Sequence, residues 1–182
     1  MKISGGRWRG HRLPTAPKGV RPSTARTRLT LFNWLGSQII HRRCLDLFAG
    51  SGALSFDSLS RGASHATLLD PNPQCCRRIR QSAQALGCAD DISLICADNR
   101  AWLPRCKKPL SGWNLIFIDP PWHMKSITAQ LQALTKRQLV SPDALLYIES
   151  PPDAFQPLGP WQLDHESTQS DISMRLYSYT EI

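Results

Sequence analysis

The residues best suited to chemistry in this chain are Asp119-Pro120-Pro121-Trp122, directly after the apolar run Leu115–Ile118. Two prolines hold a backbone extended and remove its N–H donors. The loop therefore presents carbonyl oxygens and one carboxylate, all hydrogen-bond acceptors. A planar amino group is what such a rim would hold. Trp122 adds a flat face on which a base can stack, worth roughly 1–3 kcal/mol. Taken alone, the tetrad also suits a rigid loop with a buried tryptophan.

A second constellation lies upstream, Leu45-Asp46-Leu47-Phe48-Ala49-Gly50-Ser51-Gly52-Ala53-Leu54. Gly50 and Gly52 let the backbone turn sharply and approach a ligand, and the helix that follows offers free N–H groups. G-x-G turns also open dinucleotide sites, where a third glycine is usual; here that position is Ser55. Asp46 separates the two readings. A pyrophosphate would be repelled by it, whereas S-adenosylmethionine has no phosphate and carries an ammonium and a sulfonium. Asp70 closes the next apolar run. There it can accept both ribose hydroxyls, with charged hydrogen bonds of about 1.5–3 kcal/mol each, or cap a helix. Asp98 can accept from an adenine amino group, cap the following helix, or do both. With Phe48, Ser51, Pro71 and Asn99 beside them, Asp46, Gly50, Gly52, Asp70 and Asp98 form the candidate cofactor set, with S-adenosylmethionine as the expected cofactor and no metal.

These positions fall at the ends of alternating elements. Short apolar strands are expected at Cys44–Phe48, Ala66–Leu69, Ile92–Ala97, Leu115–Asp119 and Ala144–Glu149. Helices are expected at Ala53–Arg61 before Gly62, from Pro73 to Gly87 after an Asn72 cap, near Asn99–Leu103, and around Ile127, Leu131 and Leu134. Trp161–His165 and Ser173–Tyr179 read as an antiparallel pair. Alternation of this kind predicts an α/β fold, a mostly parallel sheet covered on both faces, with ligands beyond the carboxyl ends of the strands.

The first 43 residues differ in character. They hold ten Lys or Arg and no acid, whereas residues 44–182 hold twelve against fourteen acids. The formal charge of +8 is thus concentrated in the first quarter of the chain. We read residues 1–43 as a basic, polyanion-binding extension packed on a body of residues 44–182. Residues 2–13 suggest a twisted hairpin carrying Arg7, Arg9 and Arg12. Residues 14–22 form a Pro-rich connector. Ser23 or Thr24 should cap a helix from about Ala25 to Gln38, with Leu31, Leu35 and Ile39 on one face. Arg26 and Arg28 stand near its start, where the helix dipole disfavours cations, so a ligand role is expected for them. Of the six cysteines, Cys44 and Cys96 should be buried, and Cys75-Cys76 should be reduced thiols on a helix. No apolar run is long enough to span a bilayer and none follows the basic start as a signal peptide would, so a soluble cytoplasmic protein is expected.

Several stretches resemble the bacterial 16S rRNA (guanine-N2)-methyltransferases of the RsmD type. They are Ser4-Gly5-Gly6-Arg7-Trp8-Arg9-Gly10, Arg21-Pro22-Ser23-Thr24 with Arg26 and Arg28, Leu31-Phe32-Asn33-Trp34-Leu35, the glycine turn, Asp119-Pro120-Pro121-Trp122, Tyr147-Ile148-Glu149 and Arg175-Leu176-Tyr177. The resemblance covers almost the whole chain. It implies a Rossmann-like class I methyltransferase with seven strands and S-adenosylmethionine as methyl donor. It implies as acceptor the N2 of a guanine in small-subunit rRNA, family position guanine-966, in an assembled small-subunit particle. A monomer without membrane association is expected. Asp119 and Pro120 would hold the amino group and Trp122 would stack on an extruded base. Trp8 and Arg7, Arg9, Arg12, Arg21, Arg26 and Arg28 would contact RNA. Ala25 and Leu29 stand where acids are common in the family, and Trp122 where Phe or Tyr is more usual. The residues by themselves leave adenine or another base open as acceptor. An NAD-linked oxidoreductase would explain Gly50, Gly52 and Asp70 but not Asp46 or the proline tetrad. A non-catalytic RNA-binding module would explain only the basic extension.

Overall fold

The computed structural model describes residues 2–14, 24–107, 109–110, 112–121, 124, 126–152, 159–169 and 171–180. Its centre is one seven-stranded sheet: β1 (Arg43–Asp46), β2 (His65–Leu69), β3 (Ile92–Ile95), β4 (Trp113–Ile118), β5 (Val140–Ser150), β6 (Trp161–Gln169) and β7 (Ile172–Tyr179), in the order β3-β2-β1-β4-β5-β7-β6. β1 to β5 are mutually parallel, and β7 runs antiparallel between β5 and β6. This is the Rossmann-like α/β architecture. The strand order reverses between β1 and β4, which opens a crevice above their carboxyl ends.

The helices are α1 (Ala25–Leu35), α2 (Ala53–Ser60), α3 (Pro73–Ala85), α4 (Asn99–Trp102) and α5 (Thr128–Lys136). Because the central strands are covered on both faces, they read as continuous apolar runs, and the core divides in two. One cluster joins Cys44, Leu115, Phe117 and Tyr147 to Phe56 and Leu59 of α2, Ile79 of α3 and Leu31, Phe32 and Leu35 of α1. The other joins Leu45, Ile116, Ile118 and Leu146 to Ile127, Leu131 and Leu134 at α5.

The expected elements form, with shifted ends. α1 stops at Leu35 because Gly36 takes a positive φ, and a 3-10 turn over Gly36–Ile39 carries Ile39 into the core. Thr24 is the cap, its hydroxyl accepting the Thr27 N–H at 3.1 Å; Ser23 lies outside the described residues. β5 begins four residues early and β6 runs four residues past His165, where pairing with neighbours overrides weak local patterning. The stretch from residue 2 to 13 is not a hairpin ladder. A single bridge, Lys2 to Arg12, closes over a 3-10 turn at Gly6–Trp8. Cys96 is exposed, contrary to expectation, because β3 ends at Ile95 and the next residue leaves the sheet.

Residues 2–13 and α1 share the core of the body, with Ile3 and Leu13 at 2% and 4% exposure. The strongest polar link is Arg28, whose Nε donates to Asp57 Oδ2 of α2 at 2.7 Å, both side chains 1% exposed. Arg28 Nη2 also donates to the Lys2 carbonyl, and Asp57 Oδ1 accepts the Ser4 N–H and hydroxyl. Arg28 therefore ties the first residues to α2. The expectation that it contacts RNA is corrected, since no phosphate can reach a guanidinium so enclosed.

Candidate methyl-donor and base crevice

β1 and β4 pair in register, with Asp46 opposite Phe117, so the loops that follow them leave the sheet side by side. One carries Gly50-Ser51-Gly52, the other Asp119-Pro120-Pro121. Gly52 adopts φ +77°, and a β-carbon there would sit 2.7 Å from Phe56 Cε2. Only glycine lets the chain turn so tightly into α2. Gly50, Ser51 and Gly52 are buried in the turn.

Asp70, at the end of β2, is 8% exposed. Its Oδ2 accepts the Gly50 N–H at 2.8 Å and its Oδ1 the Asn72 N–H at 2.8 Å. An ionised carboxylate has about four lone-pair sites, so each oxygen retains capacity for a hydroxyl. Asp70 thus shapes the glycine turn. Pro71 beside it is exposed. Asn72 caps α3 by accepting the Gln74 N–H.

Asp46 lies 2% exposed under the turn. Ser55 donates to its Oδ2 at 2.9 Å, and the Phe48 N–H lies 3.4 Å from Oδ1. Burial raises its carboxyl from 3.8 to about 7 despite the Ser55 bond, and the charges of Asp119 and Asp70 add to the rise. A cation in the crevice would reverse that effect and favour the ionised form. Acidic groups are gathered here in a chain whose net charge is +8.

Asp98 caps α4 through the Arg100 N–H at 2.8 Å and pairs with the Arg100 side chain at 2.9 Å. Those bonds, Arg100's side chain first, hold its carboxyl below the usual range. Asn99 departs from expectation. Its side chain is 4% exposed, donates to the Leu47 carbonyl at 2.8 Å and accepts from Gln130 at 2.9 Å. Its amide thus ties the segment leading into the glycine turn to α5.

Asp119 is half-buried and Pro120 buried, at the mouth of β4. Beside them on β5 are two residues that motif reading did not place in the site. Tyr147, fully buried, donates its hydroxyl to Glu149 Oε2 at 3.0 Å, and Glu149 is 5% exposed. Burial and then the charges of Glu149 and Asp119 push the Tyr147 hydroxyl well above 10. Tyr147 therefore stays a neutral donor and fixes Glu149 next to Asp119. The signal available was the stretch Tyr147-Ile148-Glu149, an acid ending an apolar strand that also resembles the family. Trp122 and Arg21 lie outside the described residues.

The basic residues divide. Arg9, Arg12 and Arg26 are exposed. Arg7 packs over the Trp8 ring at 4.1 Å and meets Asp91 at 3.3 Å. Trp8 is tied by its N–H to Ser60 Oγ at 2.9 Å, at the far end of α2 from the glycine turn. Eight helical residues separate those ends by about 12 Å. A polyanion touching both would lie along this face of the molecule.

The family model described as Conserved hypothetical protein 95 matches residues 1–178. The chain belongs to this family, the RsmD family. It is 34% identical over 183 residues to ribosomal RNA small subunit methyltransferase D of Haemophilus influenzae, covering 97% of this chain and 93% of that one. It is 34% identical over 180 residues to the Escherichia coli K12 protein of the same name, covering 97% and 89%. An Escherichia coli structure provisionally named a methyltransferase superposes with TM-score 0.87 at 33% identity, covering 99% and 98%. An RNA methyltransferase of Salinibacter ruber solved with S-adenosyl-L-homocysteine matches at TM-score 0.64 and 13% identity, covering 89% and 95%, which is a likeness of fold. Among the described residues, no helix is long and apolar enough to cross a membrane.

Proposed function

We propose that this RsmD-family chain transfers a methyl group from S-adenosylmethionine to the exocyclic N2 of a guanine in 16S rRNA, family position guanine-966, within the small ribosomal subunit. The observation that carries the reading is the register of β1 against β4, which sets the glycine turn beside the Asp119-Pro120 rim. Curated relatives named as small-subunit rRNA methyltransferases, matched over 97% of this chain, support the rRNA substrate. In this reading residues 1–43 are the RNA-binding extension and residues 44–182 the methyltransferase domain, acting as a monomer.

The residues present fit the donor. Asp70 would take the ribose hydroxyls, the Gly50–Gly52 backbone would admit the donor closely, and buried Asp46 would favour its cationic groups. When bound, the donor supplies an electrophilic methyl on a sulfonium. The guanine amino lone pair is delocalised into the ring and is a poor nucleophile until it is held. Asp119 and the Pro120 carbonyl accept the two amino hydrogens and aim the nitrogen at the methyl. Those contacts strengthen as positive charge grows on nitrogen, which is where catalysis requires stabilisation. Asp119 would take the departing proton. Trp122 would stack on the extruded base, and Arg9, Arg12, Arg21 and Arg26 would hold phosphates.

The test is to supply purified small-subunit particles and naked 16S rRNA, each lacking the modification, with donor carrying a labelled methyl, then map the labelled nucleotide. Label on one guanine N2 supports the reading. Label on an adenine would overturn the guanine assignment, and no label on either substrate would overturn the activity.

A further inference from the structure

Glu149 stands beside the Asp119-Pro120 rim, and neither donor binding nor the hold on the amino group uses it. β4 and β5 run parallel, with Phe117 opposite Tyr147 and Ile118 opposite Ile148. One residue further on are Asp119 and Glu149, on neighbouring strands that lie about 4.8 Å apart. The Phe117 and Tyr147 rings meet edge-on at 6.4 Å in the core shared with α1 and α2. Side chains alternate along a strand, so Asp119 and Glu149, two residues on, return to that same face. The Tyr147 hydroxyl lies between them: it donates to Glu149 Oε2 at 3.0 Å and also feels the charge of Asp119. Asp119 is half-buried and Glu149 is 5% exposed, so Glu149 is set deeper than the rim.

We propose that Glu149 selects guanine by accepting its N1–H while Asp119 and the Pro120 carbonyl hold the 2-amino group. This rests on the guanine-N2 reading of the site and names the residue that enforces it.

N1 is the ring atom beside the carbon that bears the amino group. In guanine N1 carries a hydrogen; in adenine and in 2-aminopurine it carries a lone pair. A carboxylate at that place gains a charged hydrogen bond from guanine and opposes the lone pair of the other two. The Asp119-Pro120 rim makes no such distinction, because acceptors suit any exocyclic amino group. Tyr147 keeps Glu149 suited to the task. A hydrogen bond to the charged form favours ionisation, and it holds the carboxylate in one orientation. An ionised carboxylate has about four lone-pair sites, of which Tyr147 takes one. A site built around such a bond rejects analogues that lack the donor, because a buried polar group is then left unmatched.

The experiment joins 16S rRNA by ligation around a synthetic segment that carries guanine or 2-aminopurine at the target nucleotide. Each RNA is offered naked and in reconstituted small-subunit particles, with donor carrying a labelled methyl. Both bases keep the 2-amino group, and only guanine has the N1–H. The readout is the ratio of kcat/KM for guanine to that for 2-aminopurine. Wild type should prefer guanine by roughly tenfold to a hundredfold, the scale of one charge-assisted hydrogen bond. In E149Q the amide can turn its NH2 to the N1 lone pair, so the preference should fall by about tenfold. S-adenosylhomocysteine affinity, measured by calorimetry, should stay at the wild-type value. A merely structural role would lower both rates together and leave the ratio unchanged. If E149Q fails to fold, E149D keeps the charge but withdraws the oxygens by one methylene, and it should lower the preference as well. Wild type that methylates both bases alike, or a folded variant that keeps the wild-type preference, would overturn the proposal with the guanine reading intact. Wild type that leaves the target guanine unmethylated in both substrates would overturn that reading and this proposal with it.

Discussion

Removing the Arg28 side chain tests whether the basic first quarter of the chain is built into the fold. In Arg28→Met, Asp57 keeps its two bonds from Ser4 but loses its cation, at 1% exposure. Breaking such a pair from one side costs about 3–5 kcal/mol, because a charge is left in a low-dielectric interior. Globular chains unfold with about 2.1 cal/mol/K per residue, so at this length 1 kcal/mol corresponds to roughly 2–3 °C and the expected fall in Tm is about 8–13 °C. Arg28→Met/Asp57→Asn removes both charges and leaves an acceptor for Ser4, so it should regain more than half of that loss. Thermal unfolding by circular dichroism measures both. The second readout is the salt dependence of RNA binding. At temperatures where the single variant is folded, its slope of log affinity against log salt should equal that of wild type. A Tm shift below about 3 °C, or a slope flatter by about one unit, would refute the buried-latch reasoning and return Arg28 to the RNA interface.

Other expectations follow from the same geometry. Arg12→Gln/Arg26→Gln alters two exposed cations and should flatten the RNA salt slope by about two units while leaving Tm within about 1 °C; an unchanged slope would remove both from the interface. Asp119→Ala should bind S-adenosylhomocysteine as wild type does in calorimetry and lose methyl transfer by about a hundredfold or more; wild-type turnover would show that the amino group is held elsewhere. Gly52→Ala forces a β-carbon to 2.7 Å from Phe56 at a positive φ and should cost about 1–3 kcal/mol in urea unfolding as well as weaken donor binding. Asp46 titrates near 7 when folded and near 3.8 when unfolded. Its raised value favours the folded state fully below about pH 4, and that contribution is lost as pH rises to about 7, by at most about 4 kcal/mol. Urea unfolding across that window should show the decline in wild type and a flatter curve in Asp46→Asn; identical curves would sink the assignment.

Legibility in sequence followed the range of the interactions involved. Strand-turn-helix alternation, the Asn72 cap with Pro73, the glycine turn and the Asp-Pro-Pro rim are local matters of backbone sterics and periodicity, and they were readable from neighbouring residues. The ends of β5 and β6 were less so, because a strand extends as far as its partner offers hydrogen bonds. Cys96 departs from expectation for a related reason: an apolar run does not show where its last residue leaves the sheet.

The amino-acid order by itself determined the fold class, the set of acids and glycines at strand ends, and the uneven spread of positive charge. Tertiary structure decided which of those groups face the crevice and which are used internally. Arg28 and Arg26 are two residues apart on one helix and look alike in sequence, yet one is sealed against Asp57 and the other is exposed. Asn99 is committed to Leu47 and Gln130, while Tyr147 and Glu149 come to lie beside Asp119. The reason is that burial and pairing depend on residues far apart in the chain, and only the packed sheet brings those residues within bonding distance.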